Sequence, residues 1–265
     1  METQNTEVNP IVISESTRAE IALVAKQYKS ANNLMMKLIN MTGSKVESAM
    51  NTLPDNWQSQ FDGIIESALM KSYNTATWTN ASLEPKGRID KALHKVSGDL
   101  AHRIAATTSG AIGGVAGAAS SWAEIPIAIT LIFRSIQNIA SEYGEDLSSD
   151  EVKIECLKVF GSGGPMKSDD GVDMGFIGAR VSLTGASVQK MISSIAPKFG
   201  AVLSQKLAAQ TVPVIGAVSG AGINYTFITY YQQMAHVRFR LRKLASEHGI
   251  EAVLGEFKIA VDGKV

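Results

Sequence analysis

The sequence predicts an all-α fold built as a single helical domain. Three observations support this: apolar residues recur at helical spacing, capping sequences precede the periodic segments, and strand-like alternation is nearly absent. The 265 residues are 45% apolar and 19% charged, which excludes an intrinsically disordered chain and supplies a sizeable core. We expect residues 1–15 to form a flexible tail and residues 16–260 to form the domain.

The N-terminal part predicts two long helices and a shorter basic one. Residues 17–20 (TRAE) fit a capping box, and the first helix continues to about Met41, where Gly43 ends it. A second capping box fits residues 44–47 (SKVE). Residues 54–78 form the second helix, with one apolar stripe, and a basic amphipathic run follows at 86–96.

The C-terminal part predicts further helices. Residues 148–151 (SSDE) cap a helix that ends at Phe160, and a glycine-rich loop follows to about residue 175. Helical patterns resume at 176–195 and at 197–249. The alternating segment 238–242 continues a helical pattern and is not a strand.

Two long stretches, residues 104–123 and 207–237, contain no Asp, Glu, Lys or Arg, and each reaches the ~20 residues that span a bilayer. The chain also repeats itself. RIAATT at 103 matches KLAAQT at 206, IGGVAGA at 112 matches IGAVSGA at 215, and ASEYG at 140 matches ASEHG at 245. These matches predict an internal duplication with copies at about 88–145 and 191–250.

Each copy carries two glycines four residues apart. Gly113 and Gly117 in the first copy correspond to Gly216 and Gly220 in the second. Because residues four apart share one helix face, we expect two long glycine-rich helices that cross closely at these faces about a pseudo-twofold axis. The spacing suits both a soluble core and a hairpin inserted in lipid.

Glu124 and Arg134 are the candidate catalytic residues, since both lie among apolar residues. Desolvation would raise the pKa of the Glu124 carboxyl and let it act as a general acid or base. The structural alternative is that residues 121–124 (SWAE) form a capping box, with Pro126 in or near the first turn. On one continuous helix the two charges would lie about 15 Å apart, too far to pair.

Four cations, Arg238, Arg240, Arg242 and Lys243, directly follow the longer uncharged stretch. They are candidate ligands for anionic lipid headgroups, and the alternative is a solvated helix end whose cations complement the helix dipole. If both uncharged stretches crossed the membrane, residues 134–206 would be exported from the cytoplasm. The sequence of residues 134–206 instead indicates part of the same globular domain. We therefore expect a cytoplasmic protein, or one peripheral on the inner face of the cytoplasmic membrane.

Other site chemistries find little support. The formal net charge is zero, which argues against a nucleic-acid partner. The four His lack metal-binding spacing, and the segment 161–164 lacks the frame of a phosphate loop, so we expect neither a metal nor a cofactor. The single cysteine, Cys156, sits in an apolar helical context typical of a buried structural thiol and fits a reducing compartment.

Several segments resemble the EcsC protein family: EIP at 124, LIFRSI at 131, GEDL at 144, ECLKVFG at 155, and SQKLAAQTVPVIGA at 204 running on to RKL at 242. The similarity covers about residues 60–250. The resemblance implies a bacterial protein of a family named after one encoded beside an ABC transporter. It transfers no catalytic residues to this chain.

Together these patterns favour a non-enzymatic helical protein that is membrane-associated or lipid-contacting and accessory to a membrane transport system. Its expected partner is membrane lipid or a membrane protein such as a transporter. Two alternatives stay open: an enzyme that acts on a hydrophobic or lipid-like substrate with Glu124 as acid or base, and a pore-forming or toxin-like protein. The sequence does not give the oligomeric state.

Overall fold

The computed structural model describes residues 13–50, 57–74, 118–162, 188–197, 199–200 and 216–263, and all regular structure in these ranges is helical. The all-α prediction is confirmed for this part of the chain. The helices are α1 Glu15–Met50, α2 Trp57–Asn74, α3 Ala118–Glu142, α4 Asp150–Gly161, α5 at 188–197, α6 Gly216–His248 and α7 Ile250–Asp262. The basic run at 86–96 and residues 1–12 lie outside the described residues.

The start of α1 is set by Ser14. The backbone N–H of Thr17 donates to Ser14 Oγ at 3.1 Å, and the N–H of Arg18 donates to the Ser14 carbonyl at 2.9 Å. Glu20 does not reach back to a cap, since its carboxylate pairs with Arg240 on α6. The capping box predicted at 17–20 is therefore wrong, because an equivalent hydroxyl lies three residues earlier.

The predicted end of the first helix is also wrong. α1 continues through Gly43 to Met50, so the predicted cap at 44–47 lies within the helix. A glycine inside a helix costs about 1 kcal/mol relative to alanine. This cost is too small to end a helix as long as α1. By contrast, α4 begins directly after Ser149 as predicted, although the Ser149 side chain makes no capping hydrogen bond.

α3 begins earlier than the sequence predicted. It starts at Ala118, so residues 121–124 lie inside the helix and cannot be its capping box. Pro126 is consequently an interior residue and not a first-turn residue. Its carbonyl accepts a hydrogen bond from Thr130 Oγ1 at 2.8 Å. The proline lies on the exposed surface of α3.

α6 is the central helix, and it packs against α1, α3, α4 and α7. The larger of two buried clusters joins the N-terminal half of α6 to α2, α3, α4, α5 and the middle of α1. At its centre the Phe160 ring contacts those of Phe133, Phe199 and Tyr231, with centroids 5.9, 5.4 and 5.3 Å away. The smaller cluster joins the C-terminal half of α6 to the start of α1 and to α7.

α3 and α6 run in the same direction. Ser135 accepts a hydrogen bond from Gln232 at 2.8 Å, and Tyr143, just beyond α3, bonds to His236 at 3.3 Å. Because the residue numbers rise together, the N-terminal ends of the two helices lie at the same end of the bundle. Among the described helices, none has both the length and the apolarity that a membrane crossing needs.

The burial pattern of α1 gives a direct test of the packing. Ile21 is 0% exposed in the smaller cluster, whereas Leu23, two residues along, is 58% exposed. We expect Ile21→Ala to lower the free energy of unfolding by about 2–5 kcal/mol, since it leaves a cavity. Leu23→Ala should lower it by less than about 0.5 kcal/mol. Urea denaturation of both variants measures this difference, and equal losses would contradict the assigned face.

A buried ion network as the candidate functional site

The most unusual chemistry in the described core is a group of buried charges between α4 and α6. Glu155, Lys158 and Arg238 are 6%, 8% and 3% exposed. Glu155 Oε1 accepts from Lys158 Nζ at 2.8 Å, and Glu155 Oε2 accepts from Arg238 Nε at 2.6 Å and also from Nη2. Burying one of these charges alone would cost several kcal/mol, so each depends on its partners.

Burial also shifts the proton affinity of these groups. Desolvation lowers the pKa of Lys158 and of Arg238, because burial penalises their charged forms, and the contacts with Glu155 oppose that shift. Cys156 adjoins Glu155 and is fully buried, and burial raises the pKa of its thiol far above the usual value. The thiol therefore stays protonated and is unsuited to nucleophilic attack.

The network continues toward solvent through Arg242. Its Nε donates to Glu145 at 2.6 Å, and its Nη2 donates to the exposed Glu151 at 2.9 Å. Burial acts to lower the pKa of Arg242, but the contacts with Glu151 and Glu145 outweigh burial and raise it. These pairs join α6 to the α3–α4 connection and to the first turn of α4.

Arg240 lies on another face of α6 and binds α1. Its Nε donates to Glu20 Oε1 at 2.9 Å. Beside it, Tyr143 and His236 stack edge to face with ring centroids 5.9 Å apart. Burial raises the pKa of Tyr143, while the nearby Arg240 lowers it.

The four cations predicted to bind lipid headgroups are thus divided by the structure. Arg238 lies in the core, so its assignment to the surface is wrong. The physical reason is that residues 238 and 242 share one helix face, which packs on α4, while residue 240 faces α1. Arg240 and Arg242 are partly exposed and paired, and Lys243 is exposed.

The candidate catalytic pair is not brought together. Glu124 and Arg134 belong to one unbroken helix, α3, so the expected separation of about 15 Å along its axis applies. The side chain of Glu124 lies outside the described residues. Arg134 is partly buried, and no residue in the described ranges forms an ion pair with it.

Only two of the four glycines predicted to form the helix crossing lie within the described residues. Gly216 and Gly220 lie in the first turns of α6, and Gly113 and Gly117 lie outside the described residues. Their close approach stays a prediction. The described residues also contain no group of three or more His, Cys, Asp or Glu placed to hold a metal ion.

Sequence reasoning missed the acidic half of the network. Glu155 stands in the run Ile154–Leu157, where a lone carboxylate among apolar residues is the same signal that drew attention to Glu124. Glu145 and Glu151 gave no local signal, since they are ordinary acidic residues beside turns and caps. Three cations and three carboxylates are paired in this network, which links α4, α6 and the α3–α4 connection.

Two adjacent tyrosines on α6 differ sharply in their hydrogen bonding. Tyr230 Oη donates to the Ser162 carbonyl at 2.8 Å, which ties α6 to the end of α4. The hydroxyl of Tyr231 is fully buried, and no described group accepts or donates a hydrogen bond to it. Burial raises the pKa of Tyr231 well above its usual value of 10.0.

Neutralising the buried carboxylate should be far more damaging than neutralising its exposed neighbour. Glu155→Gln leaves Arg238 and Lys158 without a buried anion, so we expect the free energy of unfolding to fall by about 3–5 kcal/mol. The control Glu151→Gln removes an exposed partner of Arg242 and should cost less than about 1 kcal/mol. Chemical denaturation at pH 7 measures both, and similar losses would show that the buried contact does not hold the fold.

The two tyrosines provide a second test. Tyr230→Phe removes a hydrogen bond and should cost about 0.5–1.5 kcal/mol at pH 7. Tyr231→Phe removes a buried hydroxyl without a described partner, so it should cost nothing or stabilise the protein. A larger loss for Tyr231→Phe than for Tyr230→Phe would contradict the assigned bonding.

The stability of the Tyr231→Phe variant should also differ from that of wild type in alkaline solution. Because the pKa of Tyr231 is higher in the folded than in the unfolded chain, the unfolded chain loses this proton first as pH rises. The stability from Tyr231 is complete below pH 10 and is lost above it, so wild type should weaken more steeply there than Tyr231→Phe. Cys156 contributes equally to both proteins and cancels in the comparison.

The ion network lies within the part of the chain that matches a known family. The family model described as EcsC protein family matches residues 16–244, from the first turn of α1 to the C-terminal part of α6, and α7 lies beyond the match. No curated protein and no solved structure matches the chain. Since the matched region covers most of the sequence and agrees with the resemblance seen in its motifs, the chain belongs to the EcsC protein family.

Proposed function

We propose that this chain is a non-enzymatic helical protein that contacts a membrane through its two uncharged, glycine-rich segments. The partner is lipid or a membrane protein such as a transporter, and the site of action is the inner face of the cytoplasmic membrane. The observation that carries the proposal is the parallel arrangement of α3 and α6.

The starts of α3 and α6, at Ala118 and Gly216, lie at the same end of the bundle. The uncharged residues 104–117 lead directly into α3 at Ala118, and residues 207–215 lead directly into α6 at Gly216. Since both helices start at the same end of the bundle, the two segments join the domain at one end. A single apolar end of this kind is the simplest surface for contact with lipid or with an apolar partner.

The proposed duplication gains support from two glycines. Gly144 and Gly249 occupy matching positions of the ASEYG and ASEHG sequences, and both have positive φ, 81° and 85°. Each follows the end of a long helix, α3 or α6. Two copies with equal helix ends, lying side by side and parallel, are what an internal repeat would produce.

The cations at the C-terminal end of α6 favour a role for that end in holding the fold. Arg238 to Lys243 lie more than twenty residues from the start of α6, which is about 30 Å along a helix axis. Arg238, Arg240 and Arg242 are all engaged with carboxylates of other elements. We therefore assign the membrane contact to the apolar end, and binding should occur with neutral as well as anionic lipid.

Charges placed in the two segments should abolish the contact. Ile112 and Ile215 occupy matching positions of the repeat, so we choose Ile112→Asp combined with Ile215→Asp. A carboxylate is costly to place among acyl chains, so vesicle flotation should show binding about tenfold or more weaker than for wild type. The matched control, Leu23→Asp with Ile259→Asp, adds the same charge at exposed apolar sites and should bind like wild type.

The midpoint of thermal unfolding of each variant distinguishes loss of membrane contact from loss of the folded state. Weaker flotation with an unchanged midpoint supports membrane contact by these segments. If the Ile112→Asp/Ile215→Asp variant fails to fold and wild type does not float with vesicles, the two segments belong to the protein core. That result would overturn the proposal. Release of an entrapped dye by wild type would favour the pore-forming alternative over a peripheral role.

A further inference from the structure

The last two helices are joined by a single residue. α6 ends at His248, α7 begins at Ile250, and Gly249 between them has φ 85° and ψ 138°. This backbone region is essentially restricted to glycine. Because of this one residue α7 folds back along α6, whereas a helical φ at Gly249 would join the two into one continuous helix.

α7 fills a groove between α1 and α6. The groove is lined by buried apolar residues of α1 and α6, and the inserted side chains of α7 are Val253 and Phe257. The Phe257 ring packs edge to face on Tyr28 of α1 at 5.7 Å. The lining residues are Ile21, Val24, Ala25, Val237, Leu241 and Leu244.

Two polar contacts hold the C-terminal half of α7 in this groove. Arg18 Nη2 donates to Glu256 Oε1 at 3.2 Å, and Lys29 Nζ donates to the Ala260 carbonyl at 3.1 Å. The donors belong to α1 and the acceptors to α7, and one of the two contacts, Arg18–Glu256, is an ion pair. None of these contacts depends on the connection through Gly249.

The family match adds an independent observation. It ends at residue 244, so the α1–α6 groove lies within the matched region and its occupant lies outside. The groove is thus built by the matched part of the chain and filled by a helix outside the match, which a single glycine connects to α6. Any second copy of the chain carries the same helix.

We propose that α7 exchanges between two copies of this chain, so that the α1–α6 groove is a homodimer interface. When Gly249 becomes helical, α7 leaves its own groove and enters the identical groove of the partner, while the partner's α7 does the reverse. Every contact of α7 is retained, and the positive φ is relieved in both chains. This inference is independent of membrane contact and does not rest on it.

The hinge residue provides the first test. Gly249→Ala penalises the positive φ of the closed chain and favours the continuous helix, so the dissociation constant of the dimer should fall at least tenfold. Multi-angle light scattering over a concentration series measures it. Wild type should show a smaller dimer fraction that rises with concentration.

Two matched glycine variants serve as controls. Gly255→Ala strengthens α7 equally in the closed and exchanged forms, because a Cβ there meets nothing within 4 Å. Gly144→Ala introduces the same kind of strain, at φ 81°, in a turn that does not connect to α7. Both should keep the wild-type dissociation constant.

Charge reversal provides the second test with the natural hinge. Arg18→Glu and Glu256→Arg each create a like-charge contact in the closed chain and in their own homodimers. In a mixed exchanged dimer of the two, one groove holds the original pair and the other holds the reversed pair. Heterodimers should therefore exceed the half expected from random pairing, and a chain carrying both substitutions should behave like wild type.

These measurements decide the proposal in every case. Exchange of α7 is supported if Gly249→Ala, but neither glycine control, lowers the dissociation constant of the dimer, and if charge-matched heterodimers exceed the random fraction. A folded Gly249→Ala variant that stays monomeric overturns it, as do heterodimers at or below the random fraction. If Gly249→Ala fails to fold, the charge-reversed mixture decides alone.

Discussion

The contact between Arg238 and Glu155 constrains the positions of the helices around it. Apolar burial drives α4 and α6 together, but it is non-directional and would tolerate several registers. Two opposite charges in the core accept only the register in which they meet, because a charge buried without its partner costs several kcal/mol. Once this register is set, Arg242 reaches Glu145 and Glu151, and Arg240 faces Glu20 on α1.

The two ends of α6 therefore serve different purposes. At the C-terminal end its arginines connect α4, the α3–α4 connection and α1, and α7 closes the remaining groove. At the N-terminal end, α6 and α3 start side by side, and each directly follows one of the two uncharged segments. The ion pairs that fix the helices thus lie at the C-terminal end of α6, away from the end where α3 and α6 start.

Local patterns predicted what local forces decide. The all-α class and the helical character of 238–242 follow from periodicity, and the structure confirms them, while α4 starts within the predicted cap at 148–151 without its side-chain hydrogen bond. The misplaced cap at 17–20 and the predicted end at Gly43 show the limit of that reasoning, since several hydroxyls can cap a helix and one glycine does not stop it. The partner of Arg238 lies 83 residues away, so no local pattern could reveal that this cation is buried.

The two similar helix ends at Gly144 and Gly249 have different surroundings. Tyr143, one residue before Gly144, packs on His236, so the end of α3 docks on α6. His248, one residue before Gly249, instead contacts Thr17 of α1 at 3.4 Å. Five residues separate Gly144 from α4, whereas α7 starts directly after Gly249. Because a single residue joins α6 to α7, α7 turns back directly after α6 and covers the apolar groove between α1 and α6.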